Sequence, residues 1–158
     1  MIPKFLKEQA EGEGVKLLYN GGALQSIDPP ETLFGYTVWS HLIPPFKPEH
    51  TLMLGYGGGT THELMRKIWG SQLKVTAIDI EPTNFINTLH KFKNMDAKDF
   101  IWDETKAAFK DYIFPKAKYD YVCIDLWNGD KVPDFIFDVE FAVRLRELAT
   151  GLVSMNIR

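Results

Sequence analysis

The residues Thr51–Leu64 read TLMLGYGGGTTHEL: an apolar run, glycine at 55, 57, 58 and 59, then a helix-forming stretch. Glycine in such a turn lets backbone approach a ligand closely, and the free N–H groups of the helix that follows can bind it. Three ligand classes compete for a loop of this kind. A P-loop ends in Gly-Lys-Ser/Thr, whereas Thr60, Thr61 and His62 follow here and no lysine does. A dinucleotide loop needs G-x-G-x-x-G; Gly55 and Gly57 fit, but the last position is Thr60. The spacing present is G-x-G-x-G, at Gly55, Gly57 and Gly59, which is that of S-adenosylmethionine-binding folds. A tight glycine turn that holds no ligand is the plain alternative.

Acids downstream sharpen the reading. Asp79 ends the run KVTAID, and a carboxylate at a strand end can accept both ribose hydroxyl hydrogens of an adenosine group, with Glu81 close by as a substitute. Asp96, in NMDAKDF, falls where an adenine amino group would donate. Asp125 ends YVCID and has the chemistry of a general base or a substrate anchor. Each of these acids could instead cap a helix or face water. Trp127 follows Asp125 closely; it either walls a ligand pocket or belongs to the core. His41, His50, His62 and His90 lack the spacing of a metal site, so no metal is expected. No Gly-x-Ser-x-Gly nucleophile turn occurs.

These residues need elements to place them. VKLLY and ALQSI flank Asn20-Gly21, whose positive φ angles suit a tight hairpin over Val15–Tyr19 and Ala23–Ile27. SIDPPE opens a helix capped by Ser26 or Asp28 and running to about Ile43. TLML, LKVTAID, YDYVCID and GLVSMNI read as buried strands, with a further short strand around Lys91–Met95. Between them lie a helix closed by Gly70, a weak helix over Glu81–Phe92, one through about Asp111 and one starting near Pro133. Strands apolar throughout and alternating with helices indicate a parallel sheet covered on both faces. The lead-in KEQAEGEG reads as solvated and partly disordered.

The bulk numbers are compatible with this. The chain has 158 residues, 45% of them hydrophobic and 25% charged, with a net charge of −3. That charge leaves no electrostatic footprint for nucleic acid or anionic lipid. The lone cysteine, Cys123, lies in an apolar run, so no intrachain disulfide forms. No stretch is apolar enough to span a bilayer and no signal-peptide core is present, so a cytoplasmic protein is expected.

Taken in order, the motifs from about Leu17 to the C-terminus resemble the spermidine synthases and their relatives, within the S-adenosylmethionine-dependent methyltransferase fold. NGGALQSIDPPETLFGY resembles the family's hairpin-and-helix entry, LMLGYGGGTTHEL its glycine loop, AIDIEP its ribose segment, DAKDF its adenine segment and KYDYVCIDLWNGDKVP the segment with its catalytic Asp. The resemblance implies a three-layer α/β/α Rossmann-like fold, truncated after the fifth strand of seven and preceded by a β-hairpin. It divides the chain into residues 1–30, an extension and hairpin, and 31–158, the ligand-binding domain. It implies an adenosyl ligand (S-adenosylmethionine, its decarboxylated form or methylthioadenosine) held by Gln25, Gly55, Gly57, Gly58, Gly59, Asp79, Asp96 and Asp125. Asp125 is the implied catalytic residue, and Gln25, Tyr36, Trp127 and Asn128 the implied acceptor contacts. The implied reaction is transfer of a methyl or aminopropyl group to a small acceptor such as an amine; a non-catalytic adenosyl binder is the alternative. The family's pattern is broken at Gly58, Val38 and Asn128, where it carries acids. An apolar edge strand left by the shortened sheet invites a homodimer or higher homo-oligomer.

Overall fold

The computed structural model describes residues 3–20, 23–81, 89–111, 118–128 and 131–157. In chain order its elements are α1 (Lys4–Gly12), β1 (Lys16–Asn20), β2 (Ala23–Asp28), α2 (Leu33–Trp39), β3 (His50–Leu54), α3 (Thr60–Trp69) and β4 (Lys74–Asp79). Then follow β5 (Lys91–Asn94), α4 (Ala97–Asp111), β6 (Tyr119–Ile124), α5 (Val139–Leu148) and β7 (Ala149–Met155). Short 3-10 turns extend α2 (Ser40–Leu42) and precede α5 (Asp134–Phe137).

β5, β4, β3, β6 and β7 lie in that order in one sheet, and every pairing is parallel. The expected α/β class is borne out: among the described residues the sheet has five strands with helices on both faces. Alternation along the strands builds two cores. Met53, Val75, Ala77, Tyr121 and Cys123 face the N-terminal elements with Phe34, Leu64 and Met65. Leu52, Leu54, Ile78, Val122 and Ile124 face Phe100, Ile101, Phe141 and Leu145 of α4 and α5. The chain moves outward from β3 to β5 and then returns to place β6 on the other side of β3. β3 and β6 therefore flank the topological switch point, where ligands of open α/β sheets bind.

The hairpin β1–β2 is present, with Lys16 opposite Asp28 and Asn20 opposite Ala23; Gly21 and Gly22 at its turn lie outside the described residues. Several local expectations are corrected. The lead-in is helical, because Leu6 and Ala10 sit one turn apart and pack into the first core, Ala10 fully. Glu13, just past α1, accepts the Phe34 amide with Oε2 at 3.0 Å and the Gln9 amide side chain with Oε1 at 2.8 Å. Neither Ser26 nor Asp28 caps α2; both belong to β2, and Thr32 Oγ1 accepts the Gly35 amide instead (3.1 Å). The prolines at 29 and 30 disfavour helix before them, which moves the start onward. The helix expected from Pro133 is split, because Asp138 is extended between the 3-10 turn and α5. The short strand expected near Lys91 is β5. Most of the weak helix expected before it, residues 82–88, lies outside the described residues.

Candidate functional site

β3 ends at Leu54, and Gly55 continues its ladder by donating to the Ile78 carbonyl (2.9 Å). Gly55 has φ +83°, and a Cβ there would lie 2.2 Å from the Asp125 carbonyl oxygen. The ends of β3 and β6 thus touch backbone to backbone, and only glycine permits it. Gly57 and Gly59 also have positive φ, the latter as the N-cap of α3. Gly58 does not. Its reason is steric: a Cβ at Gly58 would lie 2.2 Å from Cβ and 2.4 Å from Oγ of Ser26 on β2.

The hairpin is seated on this loop. Ser26 Oγ and Thr60 Oγ1 are 2.6 Å apart, and Thr60 Oγ1 accepts the Ile27 amide at 3.1 Å. Both hydroxyl residues are buried. Gln25 lies against the loop by its backbone: a Cβ on Gly57 would stand 3.1 Å from its carbonyl oxygen.

Asp79 ends β4 beside the loop. Its Oδ2 accepts the amides of Tyr56 (2.7 Å) and Gly57 (2.8 Å), and its Oδ1 accepts the amide of Glu81 (2.9 Å). The carboxylate therefore shapes the glycine loop. A carboxylate offers about four acceptor positions, so roughly one is left, on Oδ1. Asp96 follows β5 and is exposed; its Oδ1 accepts the Lys98 amide (2.7 Å) and caps α4. The Met95 amide donates to the Asp79 carbonyl, which keeps Asp96 on the same edge of the sheet.

Asp125 ends β6, its amide donating to the Leu54 carbonyl (2.8 Å). Its Oδ1 accepts from Trp127 Nε1 (2.8 Å) and from Asn156 Nδ2 (2.9 Å). Trp127 is thus a ligand of the candidate catalytic carboxylate. Asn156 was not legible as a site residue; a polar side chain at the carboxyl end of the last apolar strand was the only signal. Met155, Asn156 and Ile157 face Thr37, Ser40 and His41 across an open groove of about 440 Å³. Asn128 is exposed and pairs by backbone with Lys131; Asp130 between them lies outside the described residues. Tyr36 packs from α2 onto the first core, within electrostatic reach of Lys67 on α3.

Beneath the loop, the Tyr56 hydroxyl meets His62 Nδ1 at 3.0 Å, and both side chains are buried. Burial lowers the His62 pKa to about 4; the charge of Glu63 opposes this and that of Arg66 adds to it. The ring is neutral at pH 7. Burial pushes the Cys123 thiol well above its ordinary pKa, and the Asp125 charge adds to the shift, so this cysteine is inert. Among the described residues no cluster of three metal-ligating side chains occurs, and no helix is long and apolar enough to cross a membrane.

No protein-family model matches the chain. It is similar to a polyamine aminopropyltransferase of Vibrio vulnificus (strain CMCP6), with 22% identity over 113 residues. The match covers 70% of this chain and 38% of that protein, so the chain corresponds to well under half of this relative. The similarity is that of a transferase-like relative.

Proposed function

We propose that the chain binds an adenosyl-sulfonium ligand along the carboxyl edge of its sheet and transfers a methyl or aminopropyl group to a small acceptor. The observation that carries this is the contact of Gly55 with Asp125 at the switch point, with Asp79 at the end of β4 holding the loop between β3 and α3. The donor set suits the ligand. Asp79 Oδ1, with Glu81 beside it, offers the acceptor positions a ribose diol needs, and the loop has no lysine for a phosphate. Asp96, next along the edge, is the acceptor for an adenine amino group. Similarity to an aminopropyl-transferring protein supports the same class of chemistry.

When bound, S-adenosylmethionine or its decarboxylated form supplies a carbon whose bond to sulfur breaks as the acceptor's bond to it forms. The residues do the rest. Trp127 and Asn156 fix Asp125 through Oδ1 and leave Oδ2 to meet the acceptor. For an amine acceptor, the carboxylate pairs with the ammonium, orients the nitrogen and accepts its proton. The groove of Thr37, Ser40, His41 and Asn156 is the place for that acceptor.

A second reading, adenosyl binding without turnover, is favoured by one feature: no ionised side chain lies in the loop at Gly58. The proposal also includes self-association in the cytoplasm through β7. This edge strand carries no charged residue and leaves Leu152 and Val153 more than one-third exposed.

Calorimetric titration with S-adenosylmethionine, its decarboxylated form, methylthioadenosine and NAD separates these readings. Binding of decarboxylated S-adenosylmethionine together with product formation supports transfer. Binding without product for any amine supports the second reading, and binding of NAD alone contradicts both.

A further inference from the structure

The glycine loop has one side chain. Residues 55–59 read Gly-Tyr-Gly-Gly-Gly, so Tyr56 alone can tie the loop to the body of the protein through side-chain atoms. Glycine loses more conformational freedom on ordering than any other residue, so a loop of this composition samples many shapes unless something fixes it. Asp79 fixes it through backbone amides, from the end of β4. The Tyr56 ring fixes it from below.

That ring is buried in the first core, edge-on to Phe92 with centroids 6.4 Å apart. Its hydroxyl meets His62 Nδ1 at 3.0 Å. The Gly59 backbone lies directly on it: a Cβ there would be 2.8 Å from the Tyr56 hydroxyl oxygen and 3.0 Å from Cζ. The Gly59 amide also donates to the Tyr56 carbonyl (3.0 Å). The bond to His62 thus closes a ring of chain that begins in the loop and ends in the first turn of α3, with Gly57, Gly58 and Gly59 between its ends.

His62 comes at a cost to the fold. Its Nε2 is buried and, among the described residues, has no hydrogen-bond partner. A buried polar atom without a partner is destabilising, and an apolar side chain would fill the space without that cost. A destabilising residue beneath the loop is accounted for by what it holds in place.

We propose that the Tyr56–His62 hydrogen bond pre-organises the glycine loop for its ligand, which makes Tyr56 and His62 positioning residues of the site. They act through the backbone of residues 57–59 and touch no ligand themselves. This role rests on the adenosyl reading above: a loop ordered in advance spares the ligand the cost of ordering it, and the gain appears as affinity.

Calorimetric titration of methylthioadenosine into Tyr56→Phe, His62→Leu and the double variant tests this, with hydrogen exchange and thermal melting on the same samples. Each single substitution should weaken binding by about fivefold or more, and the double variant should bind no more weakly than the weaker single one, since one bond is lost only once. Exchange at Gly57 and Gly59 should accelerate in the ligand-free variants while the amides of β3 and β4 keep their protection. The melting temperature of the double variant should be unchanged or higher, because both partners and the unpartnered Nε2 leave together. Affinity within about twofold of the unaltered protein in either single variant, or losses that add in the double one, overturns the proposal and leaves the adenosyl reading standing. Melting temperature and affinity that fall together with unchanged loop exchange assign the pair to the fold alone and also overturn it. Should the double variant fail to fold, Tyr56→Phe, which keeps the ring in the core, decides alone. No binding by the unaltered protein ends the adenosyl reading and this proposal with it.

Discussion

Oδ2 of Asp79 accepts the amide hydrogen of Gly57 over 2.8 Å, so the acid that ends β4 sets the shape of the loop that ends β3. An acid in this position has two tasks, one structural and one toward a ribose.

Asp79→Ala separates them by magnitude. Removing an ionised acceptor of backbone amides costs about 1.5–3 kcal/mol. Both the melting temperature and the affinity for methylthioadenosine are expected to fall. A lower melting temperature with unchanged affinity would place the ribose elsewhere. Differential scanning fluorimetry with and without ligand reads both quantities.

Thr60→Val keeps the shape of the side chain and removes its oxygen. The Ser26 hydroxyl and the Ile27 amide then lose their partner in a buried site. About 1–3 kcal/mol of stability should go with it. Urea unfolding measures the loss, and hydrogen exchange at Ile27 should accelerate. Exchange as slow as in the unaltered protein would mean that other contacts seat the hairpin.

His62 makes stability depend on pH. Its unfolded pKa is about 6.5 and burial lowers the folded value to about 4. Below pH 6.5 the unfolded chain takes up a proton that the folded chain refuses until about pH 4. The stability present above pH 6.5 is therefore lost as pH falls through that window, by about 3 kcal/mol. His50, also lowered by burial and by His90, acts in the same direction. Urea unfolding of His62→Leu between pH 7 and 4.5 should show a clearly shallower decline; an unaltered slope would assign the effect to other groups.

Leu152→Lys puts a charge on the exposed face of β7. Light scattering after size-exclusion chromatography should find the unaltered chain as a dimer or larger and the variant shifted toward monomer. A clean monomer without the substitution removes self-association from the account.

The runs that became β3, β4 and β6 were legible because a strand buried on both faces must be apolar throughout. Helix α3 was legible from the glycines at its two ends. Other features depend on partners distant in sequence. Helix α1 looked solvated because its glutamates dominate the text, yet Leu6 and Ala10 suffice to dock it and Glu13 ties it to Phe34. The anchoring of Asp125 by Asn156 crosses two strands, and no spacing encodes it. Gly58 reads in sequence as a ligand-holding glycine and a break in the family's pattern, but its side-chain space is taken by Ser26. Asp79, Asp96 and Asp125 do share one edge of the sheet; capping was legible as an alternative for Asp96, while the loop amides that Asp79 accepts and the Trp127 and Asn156 donors of Asp125 came with the structure.

Asp125→Asn keeps the shape of the side chain and removes the base. In a transferase it abolishes product formation from S-adenosylmethionine or its decarboxylated form and leaves ligand affinity within about twofold, a difference of roughly 0.4 kcal/mol. Asn156→Ala, which frees Asp125 Oδ1 from one of its two donors, should lower turnover more mildly, by about 1 kcal/mol of orientation. Product formation that survives Asp125→Asn would assign catalysis to another group.

The adenosyl ligand is the central claim, and direct calorimetric titration of the unaltered protein tests it. The account predicts that methylthioadenosine binds with one site per chain, that S-adenosylmethionine competes with it, and that NAD gives no heat. No binding of any adenosyl ligand at millimolar concentration, or saturable binding of NAD alone, would contradict it.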